Sequence, residues 1–240
     1  MSTVLDPTTP ASELENGTGG LNISGFRDIG NRFNGSEESD NIGGGSLSDT
    51  IDAGEGNDVI FGLLGADTLF GGPGEDLIDS GGGADQVFGN GGNDQIFAGN
   101  GSDIVFGDAG DDIIDAGIGN DIVDGGTGND IIVGGRGNDV IFGGDGNDTI
   151  ITGAGNDTVE GGEGEDIFAF EFFENAGRTS IRDFTEGEDT ILINGVSDGA
   201  SVTYDAASGL ISVDGNPTIR VTPGTELTIE ENDEGGFELF

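Results

Sequence analysis

Aspartate returns every ninth residue across more than half of this 240-residue chain: Asp40, Asp49, Asp58, Asp67, Asp76, Asp85, Asp94, Asp103, Asp112, Asp121, Asp130, Asp139, Asp148, Asp157 and Asp166 follow one another without a gap. Two residues after each stands an apolar side chain, from Ile42 and Ile51 through to Val159 and Phe168. Two residues before each, from Gly56 to Gly164, stands glycine; Glu38 and Leu47 take that place in the first two units. Five residues before each stands Gly, Ala, Ser or Thr. A fixed internal period constrains the fold more than any local propensity, because every unit must solve the same packing problem as its neighbours.

The unit is G-G-x-G-x-D-x-U-x, with U apolar. Its glycines permit positive φ and close backbone approach, so the first six residues read as a tight turn. The x-U-x triplet reads as a very short strand with one inward side chain. So short a strand gains nothing alone, and the units must stack. Successive units then face each other, U inward from two sheets, with eighteen residues to a coil and right-handed connections between parallel strands. The expected fold is all-β: a right-handed parallel β-roll, or β-solenoid, with a small C-terminal β cap. A Gly-rich acidic composition also suits a disordered segment, but disorder has no reason to keep an apolar residue two places after every ninth Asp.

The formal net charge is −42, from 48 acidic against six basic residues. Such a chain lacks the basic footprint of a nucleic-acid binder and is repelled by anionic membranes. Its self-repulsion calls for counter-cations. There is no His, Cys or Lys, all six basic residues being Arg. That removes Ser-His-Asp triads, thiol nucleophiles, Schiff-base lysines, ordinary zinc sites and disulfides. No segment approaches the ~20 apolar residues of a membrane helix.

The fifteen units from Gly35 to Ala169 resemble the RTX, or haemolysin-type, calcium-binding nonapeptide. The EF-hand loop D-x-D-x-D-G is absent. Calcium takes six to eight oxygens at roughly 2.3–2.6 Å, and stacked strands lie about 4.8 Å apart, so an ion between two turns reaches both. The resemblance implies that each ion sits between turns one coil apart and shares two Asp carboxylates and several turn carbonyls. The implied metal ligands are Asp49 to Asp166 of the series above. With them come the backbone carbonyls of Gly71, Gly72, Gly74, Gly89, Gly92, Gly107, Gly110, Gly125, Gly126, Gly128, Gly134, Gly135, Gly137, Gly143, Gly144 and Gly146. Turns one coil apart split the aspartates into two ladders, Asp40 to Asp166 with seven gaps and Asp49 to Asp157 with six, so at most 13 Ca²⁺ bind. Glu38 and Leu47 in place of turn glycine weaken the first gaps, and Arg136 weakens its neighbour. With one inward side chain per nine residues the core is thin, so ion binding is expected to supply folding free energy.

Three parts are expected: a leader or cap strand at 1–34, the calcium-binding roll at 35–169, and a cap with an export signal at 170–240. "LNISGFRDIGNRF" offers a capping strand. The segment around Ile181, Asp183, Phe184, Gly187 and Asp189 resembles the I-x-D-F-x-x-G-x-D that follows such repeats in this family. The runs "SVTY", "LISV", "TIRV" and "LTIE", separated by turn signals, read as a hairpin meander closing the roll. The N-terminus lacks the pattern of a Sec signal. The tail "EENDEGGFELF" resembles a type I secretion signal, a frayed terminus being the plain alternative.

Residues flanking U point outward and form apolar stripes: Phe70, Phe88, Phe106 and Phe142 with Ile104, Ile122 and Val140 on one face, Phe61, Phe97, Ile113, Ile131 and Val133 on the other. Cross-strand stacking that stabilises the sheets accounts for them; an interaction site is the rival. The functional expectation is a secreted, extracellular or cell-surface bacterial calcium-binding structural or binding protein that folds on Ca²⁺ after export. Its expected partners are calcium, type I secretion machinery and a surface or matrix polysaccharide or protein. The alternative is an accessory carbohydrate-binding module of the alginate-epimerase type or a carbohydrate-active fragment. Catalysis is not expected, since about 34 residues precede the repeats. Ice binding by a flat Thr/Asn ladder is not expected, Thr127 in G-T-G-N-D being the only such turn in the repeats, and membrane activity lacks an amphipathic helix.

Overall fold

A computed structural model describes residues 22–23, 32–171, 177–196, 200–214, 216–222, 224–225, 227–231 and 236–240. Among these every helix-or-strand element is a strand. One twelve-stranded sheet begins with β1 (Asn22–Ile23), β3 (Asn41–Gly45), β5 (Val59–Leu63), β7 (Leu77–Asp79), β9 (Gln95–Phe97), β11 (Ile113–Asp115), β13 (Ile131–Val133), β15 (Thr149–Ile151) and β17 (Ile167–Glu171). The other begins with β2 (Arg32–Ser36), β4 (Thr50–Gly54), β6 (Thr68–Pro73), β8 (Gln86–Gly91), β10 (Ile104–Ala109), β12 (Ile122–Thr127), β14 (Val140–Asp145) and β16 (Thr158–Glu163). All these neighbours pair in parallel, and through the repeats the offset is eighteen residues, Val105 to Val123 to Ile141 for example. The protein is a parallel β-solenoid of about eight coils.

The U positions Ile42 to Phe168 are fully buried between the sheets, while their strand neighbours point outward. Two differences from the triplet reading appear. In the second sheet β6 to β16 run six residues each, because pairing continues through the bend, as in Ala109 to Thr127. In the facing turns the same pairing survives as single bridges from Leu64 through Gly82, Asn100, Ile118 and Arg136 to Ala154. The stack also starts before the repeats: β1 pairs with β3, and Phe33 fills the inward slot opposite Ile51.

Beyond β17 the first sheet adds β19 (Thr190–Asn194), β24 (Phe237–Leu239) and β23 (Ile229–Glu231); the second adds β18 (Thr179–Ile181), β22 (Asn216–Arg220), β21 (Leu210–Val213) and β20 (Val202–Asp205). β18 and β19 continue the parallel stack, and from there pairing turns antiparallel except between β18 and β22. The four alternating runs are β20 to β23. The terminal apolar stub is β24, held between β19 and β23 with Leu239 fully buried. It is not frayed. Residues 1–21 and 24–31 of the leader, with most of the expected capping segment, and 232–235 of the tail lie outside the described residues.

Candidate metal centres

Every turn brings its Asp to the point where the bend becomes a strand. None of Asp40 to Asp166 is more than 3% exposed. Thirteen buried hydrogen bonds tie them into the two ladders: the backbone N–H of each Asp donates to Oδ1 of the Asp eighteen residues later, at 2.6 Å from Asp40 to Asp58, 2.7 Å from Asp94 to Asp112 and 3.0 Å from Asp139 to Asp157. The same bond spans both first gaps, so Glu38 and Leu47 do not disturb the rungs there.

The second oxygen of each carboxylate carries the chemistry. Oδ2 of Asp58, Asp67, Asp76, Asp85, Asp94, Asp103, Asp112, Asp121, Asp130, Asp139, Asp148, Asp157 and Asp166 is buried and has no hydrogen-bond partner. An unpartnered buried carboxylate oxygen costs several kcal/mol, and thirteen in series ask for a cation. At the ladder ends the same atom is held by the protein itself: Ser36 N–H donates to Asp40 Oδ2 at 2.7 Å, and Gly45 N–H to Asp49 Oδ2 at 2.6 Å.

The glycines show what surrounds the open oxygen. A Cβ on Gly62 would lie 2.7 Å from Asp67 Oδ2 and 2.6 Å from the Ser80 carbonyl oxygen of the next coil. Gly71, Gly89, Gly107, Gly125 and Gly143 each leave open the same point between their own turn's Asp Oδ2 and the carbonyl one coil on. Gly134 also faces the next coil's carbonyl, that of Thr152, with Asp139 Oδ2 at 3.2 Å. A side chain would fill the cradle where carboxylate and carbonyl converge. Carbonyls of the second and fourth residues before each Asp point the opposite way, onto the matching residue one coil later. Gly74, Gly92, Gly110, Gly128, Gly137 and Gly146 receive them at one position, Gly72, Gly126, Gly135 and Gly144 at the other. Oxygens from two successive turns thus face one gap. Among the described residues no three acidic side chains gather at one point, so carbonyls must complete a calcium shell of six to eight oxygens. The donor set, all oxygen, suits that hard ion.

Burial pushes the thirteen carboxyls from Asp58 to Asp166 upward. Asp58, Asp67, Asp76 and Asp166 rise to about 6, and Asp94, Asp103, Asp130 and Asp139 to about 7. Asp85, Asp112, Asp121, Asp148 and Asp157 move the same way. Desolvation is the largest cause; the N–H from the preceding rung opposes it, and neighbouring carboxylates mostly add to it.

Three features escape the plain nonapeptide pattern. The ladder does not end at Asp166, whose N–H donates to Asp189 Oδ1 at 3.1 Å. Asp189 is 4% exposed, and its Oδ2 accepts from Thr185 N–H as at the N-terminal rungs. Gly187-Glu188-Asp189-Thr190-Ile191 repeats G-x-D-x-U, but a spacing of twenty-three residues conceals it. The other ladder stops because Thr179 holds the place of the next Asp, before buried Ile181. Asp183 takes a different role, its two oxygens accepting from Gly161 N–H and Gly162 N–H. A second ladder runs beside the aspartates: Asn120 Oδ1 accepts from Asn138 N–H at 2.8 Å, and Asn138 Oδ1 from Asn156 N–H at 2.9 Å. The recurrent N-D dipeptide is its signature.

A family model described as RTX calcium-binding nonapeptide repeat, in four copies, matches residues 43–78, 61–96, 70–105, 79–114, 97–132 and 133–168, together more than half of the chain. No curated protein matches it. With buried carboxylate ladders, glycine cradles and this match in agreement, the chain belongs to the family of RTX calcium-binding nonapeptide repeat proteins.

Proposed function

We propose that this calcium-binding repeat protein is exported unfolded and folds outside the cell around as many as thirteen ions, one for each unpartnered carboxylate oxygen of the two ladders, as a structural or binding protein without catalytic activity. The thirteen unpartnered carboxylate oxygens carry this reading. Asp49 to Asp166 and the turn glycine carbonyls would hold the ions, which supply charge neutralisation and cross-link successive coils. The division at 34/35 and 169/170 remains part of the proposal, with β2 and β17 straddling the two boundaries.

Export follows from the same energetics. Stabilisation by a ligand grows as RT ln(1 + [L]/Kd) per site, and extracellular calcium modules bind at ~10⁻⁴–10⁻³ M. Where free calcium is far below that, the chain stays unfolded and can thread a type I channel, its C-terminal segment leading. Outside, the same segment would seat as β24. No helix among the described residues is long and apolar enough to cross a membrane. A surface or matrix partner of polysaccharide or protein type completes the reading. The Phe70, Phe88 and Phe106 rings stack on one another at 4.9 and 5.2 Å; both faces of Phe88 and one face each of Phe70 and Phe106 are occupied, which supports sheet stabilisation over sugar stacking at that stripe.

The test is a calcium titration followed by circular dichroism and calorimetry. Disorder in chelator, β structure in millimolar Ca²⁺ but not Mg²⁺, and a stoichiometry near thirteen are expected. An unchanged spectrum would refute calcium-coupled folding.

A further inference from the structure

The two rows of turns are chemically unlike. The row leading into the first sheet, at 35–39, 53–57, 71–75, 89–93, 107–111, 125–129, 143–147 and 161–165, carries nine acidic residues besides its ladder: Glu37, Glu38, Glu55, Glu75, Asp108, Asp111, Asp145, Glu163 and Glu165. All nine are exposed and none is matched by a basic residue in that row. The opposite row, at 44–48, 62–66, 80–84, 98–102, 116–120, 134–138 and 152–156, carries no acidic residue besides its ladder and one base, Arg136. In a chain at −42 that is a selective exclusion. The same row exposes Leu47, Leu63, Leu64 and Ile118, the last three more than half exposed.

Calcium turns this difference into opposite signs. These signs depend on the proposed ion occupancy. Seven ladder carboxylates, six divalent ions and Arg136 leave the neutral row at about +6, while eight ladder carboxylates, seven ions and nine further carboxylates leave the acidic row at about −3. Both rows have the same pitch, since each advances one coil per eighteen residues. Both are held in register by pairing that runs through the bends. The acidic row's tips between its carboxylates are small at Gly91, Ala109 and Thr127, which leaves room for one apolar side chain of the neutral row, such as Ile118 of another copy.

We propose that calcium-loaded copies associate edge to edge, the neutral row of one against the acidic row of the next. The two surfaces differ, so the contact is heterologous and propagates as an open row of molecules instead of closing as a dimer. Seven turns at about 4.8 Å make an edge of roughly 34 Å. At about 10 Å wide it falls well short of the ~800 Å² per partner of a stable interface. Each contact is therefore weak, dependent on concentration and on salt. The remaining net negative charge of each copy acts at longer range and is screened beyond about 8 Å at physiological ionic strength.

Sedimentation velocity on the full chain tests this, with circular dichroism on the same samples reporting folding separately. In millimolar Ca²⁺ the weight-average mass should rise with concentration and fall back in 0.5 M NaCl. Ile118→Glu with Arg136→Glu spoils the neutral row; Glu75→Gln, Asp111→Asn, Asp145→Asn and Glu163→Gln spoil the acidic row, and none of these residues belongs to the two aspartate ladders, while asparagine at 111 keeps the oxygen that accepts from Asn129 N–H. Each variant alone should remain monomeric, and an equimolar mixture should stop at one-to-one pairs, since only one good edge of each kind is left. A folded wild type that stays monomeric at all concentrations, or variants that associate as it does, would overturn the proposal. So would a monomeric wild type whose neutral row captures soluble alginate instead. A wild type that fails to fold in calcium overturns the calcium reading and this proposal with it.

Discussion

The roll buries one aliphatic side chain every nine residues and sets a carboxylate in the interior two residues before it. The cap adds Ile191, Ile193, Ile211, Val213, Ile219, Val221 and Leu239 to the apolar core that runs on from the roll, with one ladder carboxylate, Asp189, whose second oxygen is already hydrogen-bonded. Both are β-structure in the same two sheets, yet they are stabilised differently. In the roll every contact reaches only the adjacent coil, and each coil carries charge that must be neutralised. In the cap antiparallel strands distant in sequence, such as β19 and β24, share an apolar core that needs no ion. Repeat stacks gain stability by adding neighbours; the cap gains it by closing on itself.

Removing calcium separates the two most sharply. As calcium is withdrawn the amides of Ile114 and Ile132 should lose protection at a higher calcium concentration than those of Ile191, Ile193, Ile211 and Val213 in hydrogen-exchange mass spectrometry, both regions being unfolded in full chelation. Equal loss in both regions would erase the distinction. Acid comes next. The folded pKa of Asp58, Asp67, Asp76 and Asp166 is raised from 3.8 to about 6 and that of Asp94, Asp103, Asp130 and Asp139 to about 7, so without calcium the folded roll binds more protons than the unfolded chain. Its stability is then greatest below pH 4 and is lost as pH rises through 6 to 7. Calcium must displace those protons, so its midpoint should rise as pH falls from 8 to 5.5, with proton release seen by calorimetry in buffers of different ionisation enthalpy. The cap's own stability should move far less.

Leu239→Ala should cost the cap about 2–5 kcal/mol in thermal unfolding and leave the calcium midpoint of the first coils nearly unchanged. A parallel shift of both would make cap and roll one cooperative unit. Asp112→Ala removes a rung bonded to both Asp94 and Asp130, and should raise the calcium midpoint several-fold. Asp40→Ala removes an end rung and should raise it much less; equal midpoints would contradict nearest-neighbour stacking. The smallest effect is expected from Phe88→Ala, which breaks both ring stacks on the outer face at about 0.5–1.5 kcal/mol beyond lost area.

The roll was legible because one period carries both its backbone and its chemistry. Gly for the bend, Asp for the rung and U for the core recur in one register, and the inward slots of Ile42 to Phe168 follow directly. The cap was legible only as a set of strands. That β22 would join β18 in parallel while β24 returned between β19 and β23 depends on packing among residues far apart, which no local pattern encodes. Asp189 sat in plain view as G-x-D-x-U, but five added residues broke the count that identified its fellows. The contrast between the rows of turns needed the eighteen-residue coil before the nine-residue units could be sorted into two classes.

That sorting bears on how such a chain can change in length. Losing or gaining eighteen residues within the roll removes or adds one coil and returns every later residue to its own sheet and edge. Losing nine preserves the motif, the glycines and every U position, yet sends all later units to the opposite side. The exposed carboxylates of one turn row would then continue along the edge that had none, and the phenylalanine column of β6, β8 and β10 would pass to the other sheet. A nonapeptide is the unit of sequence, but the pair is the unit that can be inherited or deleted without scrambling the surface.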